Sequence, residues 1–119
     1  MDILIVDDSK AMRAIVMRAV KGVFADATCR EASNGLEALA AVKQALPDLV
    51  LTDWNMPEMS GFELIQALRS EGHTLKIGMV TSESNPELKD RALKAGAGFL
   101  LHKPFTPEAV RDALKTVIP

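Results

Sequence analysis

At 119 residues, 48% hydrophobic and 25% charged, the chain has the make-up of one globular domain with a real core, which excludes wholesale disorder. A net charge of −2, from 14 basic and 16 acidic residues, leaves no broad basic surface for nucleic acid. No run approaches the roughly 20 apolar residues of a membrane helix, and the N-terminus lacks the basic start and long apolar stretch of a signal peptide, so a soluble cytoplasmic protein is expected.

The first strand is predicted from near Asp2, runs through Ile3-Leu4-Ile5-Val6 and stops at Asp7-Asp8. An amphipathic helix follows, its apolar stripe formed by Met12, Ile15, Val16, Ala19 and Val20. A second strand begins near Ala27 and contains Cys29, the single cysteine, which reads as a small buried hydrophobe and cannot form an intramolecular disulfide. Asn34 and Glu37 then take capping-box spacing at the start of a second helix. A third strand begins near Asp48, runs through Leu49-Val50-Leu51-Thr52 and ends in Asp53-Trp54-Asn55-Met56-Pro57. Ser60 and Glu63 repeat the capping-box signal for a third helix.

The fourth strand begins near Leu75 and closes on Thr81-Ser82-Glu83, after which Asn85-Pro86 opens a helix that Gly96 stops in a left-handed C-cap. The fifth begins near Gly98 and ends in His102-Lys103-Pro104. Thr106-Pro107 starts the last helix, apolar through Val110, Ala113, Leu114 and Val117. There is no linker, low-complexity tract or repeat beyond this rhythm, so residues 1–119 are expected to form one (βα)5 domain. Alternating strands and helices predict an α/β fold with a parallel five-stranded sheet, right-handed crossovers and helices on both faces. Ligands of such folds sit at the carboxyl edge of the sheet, where the winding reverses.

Four polar loops reach that edge: Asp7-Asp8-Ser9, Asp53 to Pro57, Thr81-Ser82-Glu83 and His102-Lys103-Pro104. If the first and third strands are neighbours, Asp7, Asp8 and Asp53 share one small volume. Like charges that close raise one another's pKa unless a cation neutralises them. The cluster therefore implies a hard divalent metal and makes Asp53 a candidate for covalent modification. Plainer readings exist for each residue alone. The acids could cap helices, Lys103 could be a solvated amine and Thr81 an ordinary strand residue. Neither His73 nor His102 pairs with a Cys or a second His at ligand spacing, which argues against zinc. The six methionines read mostly as core or interface filler.

Taken together, these four motifs resemble the bacterial response-regulator receiver domain over the whole chain, and Asp53-Trp-Asn-Met-Pro-Glu-Met-Ser-Gly61 is most like the CheY-type chemotaxis receivers. The resemblance implies the doubly wound, flavodoxin-like strand order 2-1-3-4-5. It also implies that Asp53 accepts a phosphoryl group from a histidine kinase in a Mg2+-dependent reaction, and that the protein is a signalling switch rather than an enzyme with turnover, apart from its own autodephosphorylation. Asp8 and Asp53 are then direct Mg2+ ligands, Asp7 acts through a bound water and the Asn55 carbonyl adds another ligand. Lys103 brings a point charge to the phosphoryl oxygens and Thr81 a hydroxyl. The bond before Pro104 is usually cis in the family. Asn55 and Glu83 occupy rim positions that tune hydrolysis of the acyl phosphate, and their identity here implies a short-lived signal. Trp54, the single tryptophan, should report on the pocket.

In the family, output runs through the face made by the fourth helix, fifth strand and fifth helix, with an aromatic residue on the fifth strand that turns inward on phosphorylation. That position here is Leu100, while alternation points the adjacent Phe99 to the other side. The usual aromatic switch is therefore absent, and coupling is expected through Leu100 packing and movement of the loop from Ser82 to Pro86. On the output face the basic set Lys89, Arg91, Lys94, His102, Arg111 and Lys115 is either a docking surface for an acidic partner or a merely solvated face.

Rival functions compete with this reading. A haloacid-dehalogenase-type phosphatase also uses a strand-end Asp nucleophile, but needs a second Asp two residues on, where Asn55 stands. An FMN binder would need a phosphate-cradling loop after the first strand, where Asp7-Asp8 repels phosphate instead. A degenerate, partner-binding receiver is countered by the intact acid, hydroxyl and lysine set. The resemblance implies a monomer in motility control, with a downstream protein as target. Met1 just before the first strand favours a stand-alone receiver at that end, and a domain cut from a longer regulator or kinase is the alternative.

Overall fold

A computed structural model describes residues 1–83 and 85–117. Ser84, within the Ser82–Pro86 loop, and the chain end at Pro119 lie outside the described residues. Ten elements alternate along the chain. They are β1 (Asp2–Val6), α1 (Lys10–Val23), β2 (Thr28–Ala32), α2 (Gly35–Gln44) and β3 (Leu49–Asp53), then α3 (Gly61–Ser70), β4 (Lys76–Thr81), α4 (Pro86–Ala95), β5 (Phe99–His102) and α5 (Pro107–Val117). All strand pairs are parallel, and the sheet order is β2-β1-β3-β4-β5, as expected. Four strands begin one residue later than the apolar runs; at β2 and β4 the reason is that Ala27 and Leu75 are buried ahead of the first paired residue.

Both faces of the sheet are covered. Val16 and Val20 of α1 and Val110 and Leu114 of α5 pack on Ile3, Ile5, Leu49, Leu51 and Phe99. On the other face, residues of α2, α3 and α4 such as Val42, Leu64, Ile65 and Ala92 pack on Leu4, Val6, Val50, Ile77 and Met79. Central strands buried on both faces read as unbroken apolar runs. Phe99 and Leu100 fall in opposite clusters, as strand alternation requires.

The helix starts are set locally. Ser60 accepts from the Glu63 N–H while the Glu63 carboxylate accepts from the Ser60 N–H, a complete capping box. At α2 the box is incomplete: Asn34 accepts from the Glu37 N–H, but Glu37 reaches back one residue further and takes the N–H and hydroxyl of Ser33. Those Ser33 bonds hold the Glu37 carboxyl below its ordinary pKa. Asn85 and Thr106 cap α4 and α5, and Gly96 ends α4 at φ +123°.

Two expectations on packing fail. Ile15 is 50% exposed, because it borders the groove between α1 and the start of α5 rather than the sheet. Cys29 is half-buried in the edge strand β2 rather than buried, and desolvation raises its thiol pKa. Among the described residues no helix is long and apolar enough to cross a membrane.

Candidate functional site

The winding reverses between β1 and β3, since the chain leaves β1 for one face of the sheet and β3 for the other. Asp7 directly follows β1 and Asp53 ends β3, so pairing of Val6 with Thr52 sets the acids side by side. Asp7, Asp8 and Asp53 each offer a carboxylate oxygen within 4.8 Å of the others. Burial grades the three: Asp7 is buried, Asp53 half-buried and Asp8 exposed.

Lys103 comes to this cluster from the far end of β5. Its ammonium lies 3.2 Å from Asp7 Oδ2 and 3.3 Å from Asp53 Oδ1, and its side chain is 16% exposed. The peptide bond from Lys103 to Pro104 is cis. The Lys103 N–H donates to the Thr81 carbonyl at 2.8 Å, which ties the β5 end to the β4 end. Burial raises the Asp53 pKa above its ordinary value, Lys103 opposes the rise and Asp7 adds to it.

Backbone donors steady Asp7 and Asp53. The Ser9 N–H donates to Asp7 Oδ1 at 2.9 Å, and the Trp54 N–H donates to Asp53 Oδ1 at 2.9 Å. Arg13 of α1 donates to the Asp7 carbonyl and pairs with Glu31. Thr81 is fully buried at the end of β4, and its hydroxyl accepts from the Glu83 N–H at 3.0 Å. Across the rim the Asn55 amide donates to the Glu83 carboxylate at 3.2 Å, joining the β3 and β4 loops. Leu100 is half-buried in the cluster that holds Trp54 and Phe62.

The donor set is hard oxygen only, at a spacing one small cation can bridge, so the residues fit Mg2+. Lys103 alone faces two carboxylates, and a divalent ion beside Asp8 would complete the neutralisation.

Residues 3–115 match the response regulator receiver domain family. The chain belongs to that family. This receiver is 38% identical to a chemotaxis protein CheY homolog of Campylobacter jejuni, the alignment covering 99% of this chain and 92% of that protein. It is 36% identical to the chemotaxis protein CheY1 of Helicobacter pylori, over 99% and 97% of the two chains. Its fold superposes on the solved structure of Vibrio cholerae chemotaxis protein CheY4 with a TM-score of 0.88, at 36% identity and 98% coverage of both chains. Receivers are signalling switches rather than conventional enzymes, and they bind a divalent metal in an acidic pocket; here Asp7, Asp8 and Asp53 form a cluster that could hold one.

Several features of the site had no signal in single residues. Gly61 donates to the Trp54 carbonyl at 2.8 Å and is packed so tightly that a Cβ would strike the Asp53 carbonyl oxygen. The spacing of Gly61 from Asp53 was visible, but not this contact. Glu58, in the same loop, holds φ +68°, a left-handed conformation that its side chain disfavours. Lys89, Arg91, Lys94, His102, Arg111 and Lys115 are all exposed. Arg91 differs from the rest because its guanidinium lies over the Phe62 ring.

Proposed function

We propose that this receiver is a phosphoacceptor switch in which Asp53 takes a phosphoryl group from a histidine kinase. An Asp53 carboxylate oxygen attacks phosphorus, the phosphorus–nitrogen bond of the donor phosphohistidine breaks, and an acyl phosphate forms as the imidazole leaves. The observation that carries this reading is the convergence of three carboxylates with one ammonium set between Asp7 and Asp53. Phosphoryl transfer depends mainly on positioning and charge neutralisation, and this set supplies both.

In this reading the Trp54 N–H and Lys103 hold Asp53 in place, and Lys103 also meets the charge on the incoming phosphoryl oxygens. Asp8 and Asp53 would hold Mg2+ directly, with Asp7 acting through a bound water and the Asn55 carbonyl as a further ligand. The ion would neutralise phosphoryl charge. Thr81 exchanges its bond with Glu83 for one to the phosphoryl group, while Asn55 and Glu83 at the rim govern access of hydrolytic water. Output passes through the α4-β5-α5 face to a downstream protein, with Leu100 repacking and the Ser82–Pro86 loop moving. Likeness to the chemotaxis relatives supports a role in motility control.

The test is intact mass after incubation with acetyl phosphate, with and without Mg2+, for wild type and Asp53→Asn. A gain of one phosphoryl group that needs Mg2+ and is lost in the variant is expected. No gain in the wild type with fresh donor would leave a partner-binding receiver without phosphoacceptance.

A further inference from the structure

Arg91 belongs to the output helix α4 but reaches back toward the site. Its guanidinium carbon lies 4.6 Å from the centre of the Phe62 ring and 5.7 Å from that of Trp54. Those rings stack on each other with centroids 5.5 Å apart and planes inclined by 19°. Both cation–ring distances fall within the roughly 6 Å over which a ring face attracts a cation. One cation and two rings thus form a continuous stack from α4, across the start of α3, to the residue that follows Asp53.

The inner end of the stack is rigidly held. Trp54 is 9% exposed, its N–H is bound to Asp53 Oδ1 and its carbonyl accepts from Gly61. A shift of the Trp54 ring therefore moves the peptide that holds the acceptor oxygen, and a change at that oxygen moves the ring. The outer end is carried by α4, which buries Ala92 and packs Leu88 and Ala95, partly exposed, against the same apolar cluster. Leu100, half-buried in the same apolar cluster, offers no ring that could rotate between α4 and the site.

We infer that Arg91 is a positioning residue that couples α4 to the phosphorylation state of Asp53 through Phe62 and Trp54. This rests on the phosphoacceptor reading above and specifies how that site reaches its output helix. Phosphorylation adds about −1.5 to −2 charges one residue from the Trp54 ring and alters the oxygen that accepts the Trp54 N–H. Both changes act on the stack, one on the position of the rings and one on the pull felt by the guanidinium. Linkage makes the effect reciprocal: a partner that holds α4 displaced changes the phosphorylation equilibrium of Asp53 by the same factor. Arginine suits the role because its flat, delocalised cation covers a ring face, which a lysine ammonium does less well.

The test uses the 15N-labelled chain as wild type, Arg91→Gln, Arg91→Lys and Phe62→Leu, each treated with acetyl phosphate and Mg2+. Intact mass measures phosphoryl loading, and the change in amide shifts of α4 and in the Trp54 indole resonance is compared at matched loading. At least a threefold smaller α4 response is expected in Arg91→Gln and in Phe62→Leu, with Arg91→Lys intermediate. Phe62→Leu breaks the stack from α3 and so separates its loss from a local effect of altering α4. Wild-type α4 responses in both variants at matched loading would overturn the coupling alone. No mass gain in the wild type would overturn the phosphoacceptor reading and the coupling with it.

Discussion

Two glycine-to-alanine substitutions are expected to change stability in opposite directions, and the contrast tests how α3 holds the end of β3. At Gly61 a Cβ would strike the Asp53 carbonyl oxygen and lie 3.0 Å from the Asp53 carbonyl carbon and 3.2 Å from Thr52 Oγ1. Carbon pairs pack at about 3.5–4 Å, so the helix start and strand end must part by at least ~0.5 Å. Neither obstructing group at Asp53 is a side chain that could swing away. Overpacking costs about 1–3 kcal/mol, and weakening the Gly61 N–H bond to the Trp54 carbonyl adds about 1 kcal/mol. A loss near 3 kcal/mol corresponds to roughly 10 °C in Tm for a domain of this size. At Gly22, inside α1, a Cβ would meet nothing within 4 Å, so Gly22→Ala is expected to stabilise by about 0.5–1 kcal/mol through helix propensity. Urea and thermal unfolding of both variants measure the stability difference. Intact-mass phosphorylation of Gly61→Ala measures whether displacing the Asp53 peptide also slows phosphoacceptance, which is expected to fall at least tenfold. A Gly61→Ala protein within 0.5 kcal/mol of wild type, or one destabilised but phosphorylated at the wild-type rate, would refute the reasoning.

Three further substitutions probe the charge and strain of the site. Burial, and secondarily Asp7, hold the folded-state pKa of Asp53 above its unfolded value despite Lys103. The associated stability is therefore present below the unfolded value and is lost as pH rises through the folded one. Asp53→Asn should then be more stable than wild type at neutral pH in Mg2+-free buffer, with the gap closing on acidification. Equal Tm values at neutral pH would sink this. Lys103→Met leaves Asp7 and Asp53 facing each other with side chains 5% and 11% exposed, and should cost about 3 kcal/mol without Mg2+. Titrated Mg2+ should recover part of that in urea unfolding, and a variant as stable as wild type in chelator would contradict it. Glu58→Gly removes the side chain from a left-handed φ of +68° and should raise stability by about 0.5–1 kcal/mol. A lower urea midpoint would show that Glu58 makes a compensating contact.

The alternation of strands and helices and the edge that carries chemistry were legible because they rest on patterns a few residues long, whereas the strand order was implied only by the family resemblance. Ile3 to Val6 and Leu49 to Thr52 are unbroken apolar runs that end in acids, and a strand buried on both faces has no other simple pattern. Ser60, Asn85 and Thr106 cap helices through bonds spanning two or three residues, so sequence neighbours determine them. Even at this range spacing left a choice open, since Glu37 satisfied Ser33 rather than the Asn34 N–H. Apolar periodicity placed Ile15 on the buried side of α1, but it carries no information on how far the neighbouring helix extends, and α5 leaves that flank open.

Tertiary structure decided which partner atoms each cation finds. Lys103 reaches Asp7 across 96 positions of chain and Asp53 across 50, distances over which composition and spacing are silent. Arg69 donates to the carbonyls of His73, Leu75 and Gly96, and Arg30 binds Asp2 together with the carbonyls of Ala41 and Ala45; both look in sequence like ordinary helix or strand cations. Arg91 likewise reads as an exposed output-face residue until α3 and α4 pack side by side and bring Phe62 beneath it. Short-range sterics and hydrogen bonds write elements and caps into the chain, whereas a guanidinium or an ammonium acquires its role only from the partner that folding sets within a few ångströms of it.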